Sequence, residues 1–142
     1  MILAKSTDRG RSFASLEVDK WNLNSCPVST NAMAQDTKGK VWMAWVNRNK
    51  IYFARTDKPA LFHQVPASQA RQGSPSIAIN SRGEILVAWT EGPMMAAGRL
   101  HWQLYDAHCK PIKTKAPLPT KINRSTAPIV LANIKNNFVV FY

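Results

Sequence analysis

Cysteine is scarce in this chain: Cys26 and Cys109 are the only two in 142 residues. That number sets no disulfide framework, and the two positions lack the paired spacing of a zinc site. No apolar run approaches the length of a membrane-crossing helix, and the opening Met1-Ile2-Leu3-Ala4-Lys5 is too short and too soon charged for a signal peptide. No membrane span is expected, and the chain as it stands carries no export address. No segment keeps a 3.6-residue apolar period, which argues against a helical fold. His63, His101 and His108 have neither metal-ligand spacing nor a carboxylate neighbour in sequence. They read as incidental, and no metal or cofactor is expected. Acidic residues are few as well. Eight Asp and Glu stand against 19 Lys and Arg, a net charge of +11, so the long-range field favours an anionic partner such as an acidic glycan, nucleic acid or a membrane surface.

What is present is a 45% apolar composition, enough for the core of one domain, and a distinctive turn. In Ser6-Thr7-Asp8-Arg9-Gly10-Arg11-Ser12-Phe13 the Ser6 hydroxyl and Asp8 carboxylate can accept backbone N–H groups while Gly10 takes a positive φ. Phe13 is expected to return to the apolar side. The segment before this turn repeats. Ile2 to Asp8 aligns with Ile51 to Asp57 and with Leu100 to Asp106, so the three aspartates lie 49 residues apart. In the second copy Pro59 replaces the glycine and Arg55 the serine; the third keeps little beyond Asp106. A second family of segments interleaves with the first. Gly39 to Trp45 matches Gly83 to Trp89 at a shift of 44, and Asn136 to Tyr142 follows at a further 53. Each is a β-branched and aromatic run entered from a polar turn, the pattern of a hairpin's second strand. The first strands are the short runs around Ala32 to Gln35, Pro75 to Ile79 and Pro128 to Ala132.

The S-x-D-x-G-x-x-F turn resembles the Asp box, or BNR repeat, of sialidase-like β-propellers, with Ser6, Asp8, Gly10 and Phe13 as its structural residues. The resemblance implies an all-β fold of four-stranded antiparallel blades, and a period of 45 to 50 residues with four strands per unit suits it. A β-sandwich would not repeat its turn chemistry at fixed spacing. With the strands of a blade lettered A to D, the chain reads as a partial propeller over 1–142: half blade C-D at 1–18 with the Asp box, a full blade at 30–66, a full blade at 74–116, and half blade A-B at 127–142. Three blades' worth cannot close a ring. Two accounts follow: a fragment of a longer six-bladed protein, or two copies joined head to tail as a homodimer, each completing the other's split blade.

In a propeller the A-B and C-D turns share one face, and the B-C loops and D-to-A links share the other. The resemblance places binding on the loop face. That face is expected to gather Asn47-Arg48-Asn49, a long loop from Glu91 to Arg99 carrying Met94 and Met95, and links carrying Asp19, Trp21, Arg71, Lys121 and Arg124. The ligand-binding candidates are Arg48, Arg71, Glu91, Arg99, Arg124 and Trp21. Converging arginines suit a sugar carboxylate because guanidinium binds carboxylate in bidentate geometry, and Trp21 suits stacking on a sugar ring. The sialidase mechanism uses an arginine triad, a tyrosine nucleophile paired with a glutamate, and an aspartate acid/base. It does not transfer: the early Arg-Ile-Pro signature is missing, and Tyr52, Tyr105 and Tyr142 all fall in expected strands. Glu91 alone is placed to act. Trp42, Trp45, Trp89 and Trp102 read as packing between blades. The strand order puts Cys26 and Cys109 on opposite faces, as two free thiols.

The resulting expectation is a propeller segment, non-catalytic by itself, that binds a glycan or other anionic ligand on the loop face. Its alternatives are a part of an active exo-sialidase or glycoside hydrolase completed by further sequence or by homodimerisation, and a protein-interaction scaffold. Nucleic acid is disfavoured, because basic and aromatic residues do not interleave on one sheet face. Location outside the cell or in the periplasm rests on the resemblance alone.

Overall fold

Runs such as Val41 to Val46 and Ile85 to Trp89 are apolar at almost every position rather than at alternate ones, the signature of a strand covered on both faces. In the computed structural model, which describes residues 1–20, 31–66, 68–93, 97–113, 121–123 and 127–142, both are central strands and nearly every side chain in them is buried.

Four antiparallel sheets make up the described residues, and no helix occurs among them. The first pairs β1 (Ile2–Lys5) with β2 (Ala14–Glu17). The second runs β3 (Asn31–Gln35), β4 (Val41–Asn47), β5 (Lys50–Arg55) and β6 (His63–Gln64) in sequence order. The third follows the same order with β7 (Gln72–Ile79), β8 (Ile85–Glu91), β9 (Ala97–Tyr105) and β10 (Pro111–Ile112). The fourth pairs β12 (Ile129–Ala132) with β13 (Phe138–Phe141). Among the described residues one strand has no counterpart in the repeat: β11 (Lys121–Asn123) pairs with β9 at Ala97, Gly98 and Arg99. Its place exists because β10 is two residues long and covers β9 only at Leu104 and Tyr105.

The sheets stack face to face with an apolar layer between neighbours. Met43, Trp45 and Ala54 meet Met1 and Val18 of the first sheet. Trp42, Ala44, Val46, Ile51 and Phe53 meet Ile77, Ile79, Ile85, Val87 and Trp89 of the third. Ala78, Leu86, Ala88 and Leu100 meet Val130 of the fourth, with Trp102 packed alongside. Strand pleating makes this possible, since successive residues of β4 and β8 point to opposite neighbours. The four strand tryptophans thus lie in layers between sheets.

Beyond the fourth sheet the outer face is open. Ile129 (57% exposed), Leu131 (54%), Val139 (41%) and Phe141 (56%) share it as cross-strand partners. Their aligned counterparts Ala78, Leu86 and Ala88 are covered.

The first sheet departs from the repeat. Ile2 aligns with the fully buried Ile51, yet it is 70% exposed, and Leu3 is buried instead. The Met1 amino group donates to the Asp19 carbonyl and Val18 N–H to Met1 O at 2.9 Å. The ladder is thereby extended, and Met1 and Val18 pack against Met43, Trp45 and Ala54, while Leu16, across from the buried Leu3, stays 48% exposed. Phe13 also departs from expectation, at 65% exposed. Its counterpart Phe62 packs edge-on against Trp45 and Tyr52, and the first sheet supplies no such aromatic pair.

Four turns share one geometry. Asp36, Asn80, Asp106 and Asn133 each accept, through one side-chain oxygen, the backbone N–H groups two and four residues on, at 2.8–3.1 Å. The residue three positions on is left-handed in every case: Gly39 (φ 75), Gly83 (φ 80), Cys109 (φ 62) and Asn136 (φ 63). The Asp106 turn is therefore a member of this group, and not a worn Asp box. Asp57 is different again, held by the Arg55 guanidinium at 2.7 and 2.9 Å.

Candidate functional site

The β4–β5 and β8–β9 connections lie at one end of the stack, and the four repeated turns lie at the other. Asn47 and Lys50 close a two-residue hairpin whose central residues, Arg48 (φ 47) and Asn49 (φ 63), are both left-handed, the primed turn that suits strand twist. Arg48 is exposed at its tip. Asn47 is buried and donates to Asp19 Oδ2 at 2.7 Å and to the Lys20 carbonyl at 3.2 Å. Trp45 Nε1 donates to the same Asp19 oxygen at 3.1 Å.

The third sheet repeats this arrangement one unit on. Trp89 Nε1 donates to Glu91 Oε1 at 2.8 Å, and Gln72 Nε2 donates to the same oxygen at 2.9 Å. Gln72 is fully buried, and it joins two sheets. Its Oε1 accepts Ile51 N–H at 3.0 Å, its backbone N–H donates to Asn49 O at 3.0 Å, and Nε2 also reaches Pro66 O at 2.9 Å. His101 Nε2 lies 3.6 Å from Glu91 Oε2, and its ring stacks on Trp89 at 6.0 Å. Burial pushes the Glu91 carboxyl up, but hydrogen bonds from Trp89, Gln72 and Ser68 and the nearby His101 outweigh it, and the group ends below its ordinary value.

Glu91 is therefore an anion fixed by neutral donors and 9% exposed. Sequence pattern places Glu91 to Arg99 in a long loop; the structure instead makes Glu91 the last residue of β8 and puts Arg99 inside β9, directly across from it. The two strands pair right up to this end, which leaves only residues 92–96 to connect them. Met94 and Met95 lie outside the described residues. The β7 start also differs: the strand opens at Gln72, and Ser74 (φ 49) and Pro75 sit at a register shift between Gly73 and Ser76, a bulge that tolerates proline.

Arg99, exposed, has Glu91 across from it on one side and Lys121 on the other. Arg71 O accepts Gly92 N–H at 3.1 Å, which places Arg71 beside the end of β8. The end thus brings together Arg71, Glu91 and Arg99, with Arg48 on the adjoining sheet. Trp21 and Arg124 lie outside the described residues, as does Cys26. Cys109 is a free thiol at the opposite end, beside an open groove of about 490 Å³ that is also lined by Phe62, Tyr105 and Pro111. That groove holds none of the expected ligand-binding residues. Tyr52 is in β5, and Tyr105, 3% exposed, ends β9.

Sequence reasoning missed Gln72, His101 and the Asp19–Asn47 pair. One signal was available: Trp45 and Trp89 align at 44 residues, and each is followed two positions later by a polar residue, Asn47 or Glu91, on the same strand face. Among the described residues no group of three or more His, Cys, Asp or Glu could hold a metal, and no helix is long and apolar enough to cross a membrane. Compared with protein-family models and with curated proteins, the chain matches none.

Proposed function

We propose that the chain is a segment of a sialidase-like β-propeller, its stacked sheets serving as successive blades, and that it binds an acidic glycan at the end where β4 meets β5 and β8 meets β9. The observation that supports this most is the Ser6–Ser12 turn. Gly10 N–H donates to Ser6 Oγ at 2.7 Å, Ser12 N–H to Asp8 Oδ1 at 2.9 Å, Ser12 Oγ to Asp8 Oδ2 at 2.6 Å, and Gly10 is left-handed at φ 84. Both polar residues of the Asp-box pattern thus cap the turn that its glycine permits. Binding, rather than catalysis by this chain alone, fits the site: Glu91 is enclosed by donors, and Tyr105 is buried at the other end. Arg48 and Arg99 are exposed at this end, with Arg71 beside them, and guanidinium groups suit a sugar carboxylate.

The test is titration of the purified chain with sialyllactose, followed by ligand-observed NMR. Saturable binding that fails with lactose and weakens in Arg99→Gln supports the reading; no binding to any acidic sugar sinks it. A second reading concerns assembly. The uncovered face of Ile129, Leu131, Val139 and Phe141 favours a further sheet over the fourth, supplied by additional chain or by a second copy that completes a six-bladed ring. A solution mass of twice 15.9 kDa selects the second copy.

A further inference from the structure

We propose that the chain self-associates head to tail: the open outer face of the fourth sheet on one copy packs over β3 in the second sheet of another, and two such contacts join two copies. The contact rests on how successive sheets already pack; its closure by two copies rests in addition on the propeller reading of the stack.

The turn caps fix which residues are equivalent. Counting back three positions from Asp36, Asn80 and Asn133 gives Met33, Ile77 and Val130 on β3, β7 and β12, and counting back two gives Ala34, Ala78 and Leu131. Strand pleating sends such neighbours to opposite faces. Ala34 packs into one apolar cluster with Ile77, and Ala78 into the next with Val130. β7 thereby lies between β3 and β12, in contact with both. Two residues of the series lie outside any layer between sheets. Leu131 is exposed on the far side of β12, and Met33 is 58% exposed on the near side of β3, where its equivalents Ile77 and Val130 are 3% and 4% exposed. By the same offset, Leu131 of one copy meets Met33 of the second.

The surrounding residues follow the same rule. On the fourth sheet Val139 and Phe141 are exposed, whereas their equivalents Leu86 and Ala88, and Trp42 and Ala44 before them, are buried. On the second sheet Met33 lies across from Met43 on one face. Met1 and Val18 of the first sheet pack on Met43, Trp45 and Ala54 of that face, yet Met33 stays open. The repeat explains the gap. β1 and β2 are the equivalents of β5 and β6, and β12 and β13 are those of β3 and β4, so the fourth sheet of one copy is the half that the first sheet of another lacks.

Charge also suits a second copy. A chain of net charge +11 repels its own kind, so self-association needs faces free of that charge. Residues 31–35, 127–132 and 138–142 include no Lys, Arg, Asp or Glu, and what the two faces present is methionine, leucine, isoleucine, valine and phenylalanine.

The test is light scattering of the purified chain across a concentration series, with Met33→Glu and Leu131→Lys made separately. The native chain should reach twice 15.9 kDa. Each single variant should need at least about tenfold more protein to do so, because either substitution places a charge in both contacts of the pair. Mixing the two variants in equal amounts should restore the doubled mass: one contact then keeps native Leu131 against native Met33, and the other sets Lys against Glu. Urea midpoints below the association range should match the native chain's, since both residues are exposed. The contact is overturned if the native chain stays at 15.9 kDa at every concentration, which leaves the two faces to other sequence. It is also overturned if Met33→Glu associates as the native chain does, the result of two fourth sheets packing on each other, or if the mixture keeps the single mass. A mass that rises with concentration without limit supports the contact and refutes closure by two copies, so the contact and the six-bladed ring fail separately.

Discussion

The indole of Trp89 donates to Glu91 at 2.8 Å, and one repeat earlier Trp45 donates to Asp19 at 3.1 Å. In one case the carboxylate lies two residues along the same strand, and in the other it comes from the end of the first sheet. The same join is made by different parts of the chain, which points to the indole–carboxylate contact as the feature the stack requires. It keeps the loop end closed around a fixed negative charge while Arg48 and Arg99 remain outside it.

Removing that anion should be costly. Glu91→Leu leaves the Trp89 indole without its acceptor and Gln72 with only Pro66 O on its amide. A loss of about 2–4 kcal/mol is expected from a buried charged acceptor with two donors. Glu91→Gln keeps one carbonyl oxygen and should lose less than half as much. Urea unfolding of both variants measures this; equal losses would mean that the carboxylate charge, and not the acceptor geometry, is what counts. The pH dependence has a definite sign. The folded carboxyl lies below its ordinary 4.5, so its contribution is complete above that value and disappears as pH falls through the folded value.

The left-handed turn positions separate space from backbone strain. Gly10 and Gly83 have similar φ values, 84 and 80, but a Cβ at Gly10 meets nothing within 4 Å, whereas at Gly83 it lies 3.2 Å from the Ala107 Cβ. Gly10→Ala should therefore cost the backbone term alone, about 1–2 kcal/mol, and Gly83→Ala more, because the β7–β8 and β9–β10 turn tips must part. Thermal unfolding of the two variants gives the order, and equal costs would show that the tips yield freely.

These turns also mark how far the sequence could be read. Four sheets and their strand order were legible because Asp36, Asn80 and Asn133 each open a polar turn into an apolar run, at successive shifts of 44 and 53 residues. The Asp106 turn was harder, because its left-handed residue is Cys109 where two of the others have glycine. Features made by contacts distant in sequence were not legible. Gln72 reaches Ile51 N–H across 21 residues, β11 fills an edge left by a short β10, and the first sheet turns its Leu3 face inward because Met1 extends the ladder. None of these leaves a local pattern. Glu91 was legible as a candidate, but its donors were not, and they change it from an available acid or base to an enclosed one.

The Asp-box turn makes a titration prediction. Hydrogen bonds from the Ser12 hydroxyl and amide and from Ser6 pull the Asp8 carboxyl to about 2, so the turn's stabilisation is complete above the ordinary 3.8 and is lost as pH falls through about 2. Ser12→Ala removes the largest cause and should move the carboxyl back toward 3.8. Carboxyl carbon NMR of Asp8 reads this directly. An unmoved titration would show that the Ser12 backbone N–H and the Ser6 hydroxyl suffice to hold the group.

The fourth sheet makes neighbouring residues answer opposite questions. Val130 is 4% exposed and packs toward Ala78 and Leu86, with its N–H donating to Ser76 Oγ at 3.0 Å, whereas Leu131, next in sequence, is 54% exposed on the open face. Val130→Lys places an unpaired charge between two sheets and should destabilise by about 3 kcal/mol or more. Leu131→Lys should change the stability of a lone chain by no more than about 0.5 kcal/mol, the usual range for a surface site. If a second copy covers this face in solution, Leu131→Lys instead lowers the mass measured by light scattering and makes stability depend on protein concentration. The pair therefore distinguishes a face that is merely open from one that is an interface: Val130 reports whether the fourth sheet packs on the third, and Leu131 reports what lies beyond it.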